Sequence, residues 1–172
     1  MTPRIAPASL VLPELIQGSW TSAVILTYGA DSFFFEGILI GQLAQVPLRA
    51  ILADGRHVDK TFQEAADTGQ RLRMANRTYL AAPIRHARAA HAKLILLLGP
   101  HSGQLVVGSG NLGQVGYASP GELRHMFGYD DEDPRHLVEF VYSCRLADRP
   151  VCLACPGEPV PRPLGAAGVD GG

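Results

Sequence analysis

Apolar residues fall in short blocks separated by polar, glycine-rich or proline-bearing stretches, and the rhythm inside each block predicts its element. Ser22-Ala-Val-Ile-Leu-Thr-Tyr28 is a β-branched apolar run ending at Gly29, the pattern of a buried strand. Asp31 or Ser32 can cap the helix that follows, predicted over about Phe33 to Gln45, before Pro47. A second strand, Leu48 to Ala53, ends in Asp54-Gly55, which reads as a turn. About Asp59 to Arg73 suits a polar, surface-facing helix, and Tyr79 to Ile84 suits a short strand.

The clearest local pattern comes next. Ala92 to Leu98 is a strand, Gly99-Pro-His-Ser-Gly103 a turn, and Gln104 to Val107 a second strand. So short a connection makes the two antiparallel neighbours in a hairpin. Gly108 to Ser119 is a glycine-rich loop with room for one or two helical turns, and Glu122 to Phe127 returns to the sheet. Asp133-Pro134 starts a last helix over about Arg135 to Ala147. Strands alternating with helices predict an α/β layer structure, its sheet mixed because of the hairpin and flanked by helices. The expected organisation is an N-terminal extension over 1–18, one domain over 19–149 and a flexible Pro/Gly-rich tail over 150–172. No internal repeat is visible.

Composition narrows the class. With 172 residues and 47% hydrophobic content, the chain can build one core with little left over. No apolar run reaches the length of a membrane span, and the prolines at 3, 7 and 13 break the order of a secretory signal. A cytoplasmic protein is expected. Net charge is only −1, but its distribution is uneven. Between Asp67 and Glu122 there is no acid, while Arg71, Arg73, Arg77, Arg85, Arg88 and Lys93 fall there. Such a block is either a solvated helix face or a positive field that collects a phosphate-bearing ligand.

Within that block lies the chemistry. His91 and Lys93 stand two apart at a strand start, so alternation puts both side chains on one face. The hairpin returns Gly108-Ser109-Gly110-Asn111 beside them. An imidazole, an ammonium, a hydroxyl and a carboxamide then converge with the backbone N–H groups of a glycine-rich loop. Phosphodiester cleavage uses that inventory: Lys93, Ser109 and Asn111 as donors to phosphate oxygens, and an imidazole that works near neutrality. Gly110 permits close backbone approach to an anion.

His-Ala-Lys followed by Gly-Ser-Gly-Asn resembles the HxK…GSxN signature of the phospholipase D superfamily. Ile25-Leu-Thr-Tyr28, Phe33-Phe-Phe-Glu36 and Leu48-Arg-Ala-Ile-Leu52 resemble the first strand, helix and strand of its bacterial members, so the resemblance runs from about Ser22 to Phe127. It implies a phospholipase D-like fold and a metal-independent phosphodiesterase that needs no cofactor. One histidine attacks phosphorus and a second protonates the leaving oxygen. Carried over, His91 is the nucleophile or its acid partner. Lys93, Ser109, Gly110 and Asn111 hold phosphate, with Lys93 and Asn111 in the catalytic group, and Glu122 orients an imidazole, the one across the site. Two departures stand out: Leu98 occupies the place of the family's Asp, and the Lys-to-Gly-Ser spacing is three residues longer. The mechanism needs two motifs and this chain has one, which implies a homodimer or a second motif in a longer chain. DNA or RNA is the expected substrate; the alternatives are a phospholipid head-group hydrolase and a non-catalytic dimerisation or nucleic-acid-docking module.

Two other patterns compete. Gly108 to Gly113 matches GxGxxG with Asp130 and Asp131 about 20 residues on, the dinucleotide fingerprint, but the strand before it arrives from a hairpin and not from a βαβ unit. His136, Cys144, Cys152 and Cys155 form a set that could hold zinc. Phe33 to Phe35 read as core anchors of the first helix.

Overall fold

The apolar blocks form strands that join edge to edge in one six-stranded sheet. The structure, a computed structural model, describes residues 18–86, 88–118 and 122–148, the last six by backbone alone. The expected extension (but for residue 18) and the tail therefore lie outside the described residues, as do Cys152, Cys155 and the side chain of Cys144, and with them the zinc expectation.

The strands are β1 (Ser22–Thr27), β2 (Leu48–Asp54), β3 (Leu80–Ile84), β4 (Leu94–Leu98), β5 (Ser102–Gly108) and β6 (Arg124–Asp130). They lie in the order β3-β2-β1-β4-β5-β6. Helical connections let β1, β2 and β3 run parallel, whereas β4, β5 and β6 are antiparallel, each to the strand before it in that order. The sheet is mixed, as the hairpin required, and helices flank it.

Helix α1 (residues 32–42) starts where Asp31 accepts the Phe34 N–H at 2.9 Å, and its middle, Phe35–Leu39, is π-helical. It stops three residues short of the predicted end because the chain turns through Ala44 and Val46, whose N–H groups bond back to Gly41 and Leu43. Helix α2 is Gly55–Asp67, displaced from the predicted Asp59 to Arg73. The reason is a cap: Asp54 accepts the Arg56 N–H at 3.1 Å, so the expected turn is the helix start. Gly69, at φ +69°, then takes the chain off the helix. Arg71, Arg73 and Arg77 consequently sit in a loop and not on a helix face. Helices α3 (Gln114–Ala118) and α4 (Leu137–Asp148) complete the described chain.

Each sheet face carries a core. Ile25, Ile51, Ile95, Leu97 and Val106 pack with Phe35, Leu39 and Leu43 of the first crossover and with Leu112 and Tyr117. Across the sheet, Leu96 and Leu105 pack against Phe140 of α4. That docking needs Gly103, where an added Cβ would fall 2.5 Å from the Phe140 and Tyr129 rings. Of the three phenylalanines expected as anchors, Phe35 is buried and Phe34 packs against the core, while Phe33 is only half-buried. Among the described residues no helix is long and apolar enough to cross a membrane.

Candidate functional site

Strand direction decides where the site lies. Leu26 pairs with Leu52 on one side and Leu94 on the other, and Leu94 pairs with Val107. The ends of β1, β2 and β5 and the start of β4 therefore share one edge of the sheet. Residues just beyond them collect there: Tyr28 and Gly29, Asp54 to His57, His91 to Lys93, and Ser109 to Asn111. In open α/β sheets this is where ligands bind.

Strand β4 begins three residues after His91, later than predicted, yet the Lys93 carbonyl still accepts the Gly108 N–H at 3.0 Å. That bond ties the His91–Lys93 segment to the foot of the Gly-Ser-Gly-Asn turn. Lys93 Nζ lies 3.0 and 3.2 Å from the two ring nitrogens of His91. The imidazole leans on Tyr28, ring centroids 4.7 Å apart, and Lys93 Nζ stands 5.9 Å from the same phenol ring.

The far side of the turn is fastened to β1. Asn111 Oδ1 accepts the Gly29 N–H at 3.3 Å. The Leu112 N–H donates to Gly29 O and to Thr27 Oγ1, both at 3.1 Å, and the Asp31 N–H donates to Leu112 O at 2.8 Å. Asn111 is exposed, and with its oxygen bonded to Gly29 its NH2 group remains as a donor. His91 and Asn111 are thus held against consecutive residues, Tyr28 and Gly29.

Two expected phosphate contacts have prior partners. The Ser109 hydroxyl donates to Glu122 Oε2 while its oxygen accepts the Leu123 N–H at 3.0 Å. Sequence reasoning gave Glu122 an imidazole to orient; the structure sets it against Ser109 because the β5–β6 ladder continues through a Ser109 N–H to Leu123 O bond. Gly110 interlocks with Gly116: a Cβ on it would fall 2.4 Å from Gly116 O. The glycine is demanded by loop packing before any ligand is considered.

Three further residues escaped the sequence reading. His57, in the first turn of α2, also packs on Tyr28, ring centroids 4.4 Å apart. Asp54 is 3% exposed and accepts the Ala90 N–H at 2.9 Å as well as that of Arg56. One buried carboxylate therefore fixes both the segment that presents His91 and the helix that presents His57. The Ala90 N–H, foremost, holds the Asp54 carboxyl below its ordinary value against the opposing effect of burial; the Arg56 N–H and the Arg56 and His57 charges help. The available signal was an acid closing an apolar strand ahead of a crossover, which is both a cap and a site-edge position.

Two other histidines have partners of their own. His86 accepts the Arg88 N–H at 3.1 Å, and His101 is paired with Asp131 at 2.8 Å at the opposite end of the sheet. Strand β5, which precedes the GxGxxG match, has antiparallel neighbours on both sides, and only the five-residue α3 follows. The dinucleotide reading therefore lacks its βαβ unit. Among the described residues no three His, Cys, Asp or Glu side chains gather as metal donors.

No family model matches the chain, and no curated protein does. Solved structures that it is similar to include NucT from Helicobacter pylori, at 13% identity and TM-score 0.49, covering 80% of this chain and 85% of that one. Nuc from Salmonella typhimurium, a phospholipase D family member, is similar at 14% identity and TM-score 0.44, over 79% and 84%. The yeast tyrosyl-DNA phosphodiesterase is similar at 13% identity and TM-score 0.42 over 67% of this chain, which spans 28% of that enzyme.

Proposed function

We propose that this chain is a phosphodiesterase of the phospholipase D type, acting on nucleic acid through a phosphohistidine on His91. The observation that carries the reading is the His91–Lys93 pair, joined by the Lys93–Gly108 bond to a turn whose exposed Asn111 keeps its amide NH2 as a donor. An imidazole nitrogen of His91 attacks phosphorus and the bond to the leaving oxygen breaks. An imidazolium gives that oxygen its proton. Water then attacks phosphorus, the P–N bond breaks to free His91, and the water's proton goes to the same neutral imidazole, while Lys93 and the Asn111 amide stabilise charge on the non-bridging oxygens. The second imidazole comes from a second copy of the motif, in a homodimer or a longer chain.

A different source of that proton is favoured by one observation: His57 of the same chain packs on the Tyr28 ring that His91 also contacts. The two sources are separable. Replacing the acid slows cleavage by about 100- to 10,000-fold when the leaving alcohol needs a proton, but far less when it is a nitrophenol. His57→Gln showing that split assigns the acid to His57; a monomer that stays inactive with every substrate assigns it to a partner motif.

The test of the main reading is cleavage of labelled DNA and RNA in EDTA by wild type and His91→Ala, with mass spectrometry for a phospho-adduct on His91. Activity that survives in His91→Ala, or that requires an added metal, overturns it. Binding without cleavage, unchanged in His91→Ala, identifies a docking module instead. Turnover of phospholipid vesicles but not of nucleic acid assigns the head-group substrate.

A further inference from the structure

The loop between α2 and β3 builds a second feature that the cleavage chemistry does not use. Glu36, in the π-helical turn of α1, accepts the N–H groups of Arg73, Met74 and Ala75 at 2.8, 3.0 and 3.0 Å, and the Tyr79 hydroxyl at 3.3 Å. The nearest acid is therefore spent on the backbone, and the loop is pinned with its arginine side chains outward. Arg71, Arg73 and Arg77 are all exposed, and among the described residues none of the three pairs with a carboxylate. With Phe33, Gln70 and Leu72 they line an open groove of about 750 Å³. An adjoining hollow over Phe62, Ala65 and Leu72 extends it.

We propose that this groove docks a single strand of nucleic acid, with bases stacked on Phe33 and phosphates paired with Arg71, Arg73 and Arg77. Three guanidinium groups without acid partners match a run of phosphates, and a half-buried aromatic ring among them offers a flat face to a base. Its place supports the same occupant. Phe33 is two residues beyond Asp31, whose N–H bonds to the Leu112 carbonyl next to Asn111, so one wall of the groove stands at the end of α1 nearest the candidate site. A polymer can reach both places at once; a free head group reaches one. The proposal rests on the phosphodiesterase reading only for substrate class, and its binding arm stands without it.

The experiment is fluorescence anisotropy of a labelled oligothymidylate in EDTA, using His91→Ala as background so that binding is read without turnover. The Arg71→Ala/Arg73→Ala/Arg77→Ala triple variant should bind at least about tenfold more weakly, with the slope of log affinity against log salt reduced by about 2. Phe33→Ala should weaken the single strand by about fivefold or more and leave a duplex of the same length unaffected, while Phe33→Tyr retains binding. A melting curve matching that of the background protein shows that each variant is folded. A folded triple variant with unchanged affinity and slope overturns the groove, even where wild type cleaves the oligonucleotide. Loss of binding in the triple variant when wild type cleaves nothing leaves the groove standing and defeats the nuclease instead. Binding to phosphatidylserine vesicles with none to oligothymidylate assigns these arginines to a membrane surface and overturns the proposal.

Discussion

The two ends of the sheet carry similar residue types in opposite arrangements. Where β6 ends beside the β4–β5 turn, Asp130, Asp131, Glu132 and Asp133 follow one another. There Asp130 accepts the N–H groups of Glu132 and Asp133, Asp133 pairs with Arg135, and His101 meets Asp131. Both side chains of that histidine pair are mostly exposed. Asp131 and Asp133 meet a base in the neighbouring turn or their own, as on any wet surface. At the other end the acids serve the scaffold: Asp54 holds two backbone N–H groups, and Glu122 takes the Ser109 hydroxyl. His91 is left beside an ammonium and a phenol ring. A histidine paired with an acid on the surface is ordinary; a histidine beside a lysine, on a segment tethered to a buried carboxylate, is the arrangement on which the proposed phosphate site rests.

Exchanging the two histidines gives the largest contrast. His91→Ala should lower cleavage in EDTA by at least about a thousandfold, whereas His101→Ala should stay within about twofold in the same assay. Equal losses would erase the distinction between the ends. Asp54→Ala should follow, losing about 1–3 kcal/mol in urea unfolding because a helix cap and a tether of the His91 segment go together.

The acid dependence of that term has a definite sign. A carboxyl held below its ordinary 3.8 stabilises the fold fully above that value and loses the contribution as pH falls through its lowered one. In acid unfolding, the advantage of wild type over Asp54→Asn should therefore shrink below pH 3.8 and be constant above it. Glu122→Gln should be milder still. Its amide oxygen can accept from Ser109, so cleavage should fall by less than about tenfold; a loss of about a hundredfold would mean that Glu122 orients an imidazole after all. Smallest of all, Asp131→Asn should change unfolding stability by less than about 0.5 kcal/mol.

Much of the fold was legible because local rules settle it. The apolar blocks gave all six strands, and the short turn before β5 could only make an antiparallel pair. Boundaries slipped where a side chain overrode the pattern. Asp54 looked like the first residue of a turn, and its capping of α2 started that helix four residues earlier than expected, while Arg71 and Arg73 fell into the loop after it.

By itself the sequence determined which residues carry the candidate chemistry, since His91-Ala-Lys93 leads into β4 and Gly108-Ser-Gly-Asn111 leaves β5, its hairpin partner. Only the tertiary structure decided what surrounds them. Tyr28, Asp54 and His57 reach the site from β1, β2 and α2, which are distant along the chain and converge because parallel strands end at one edge. Periodicity records which face of a strand a residue occupies; it holds no information about which other strand ends lie beside it.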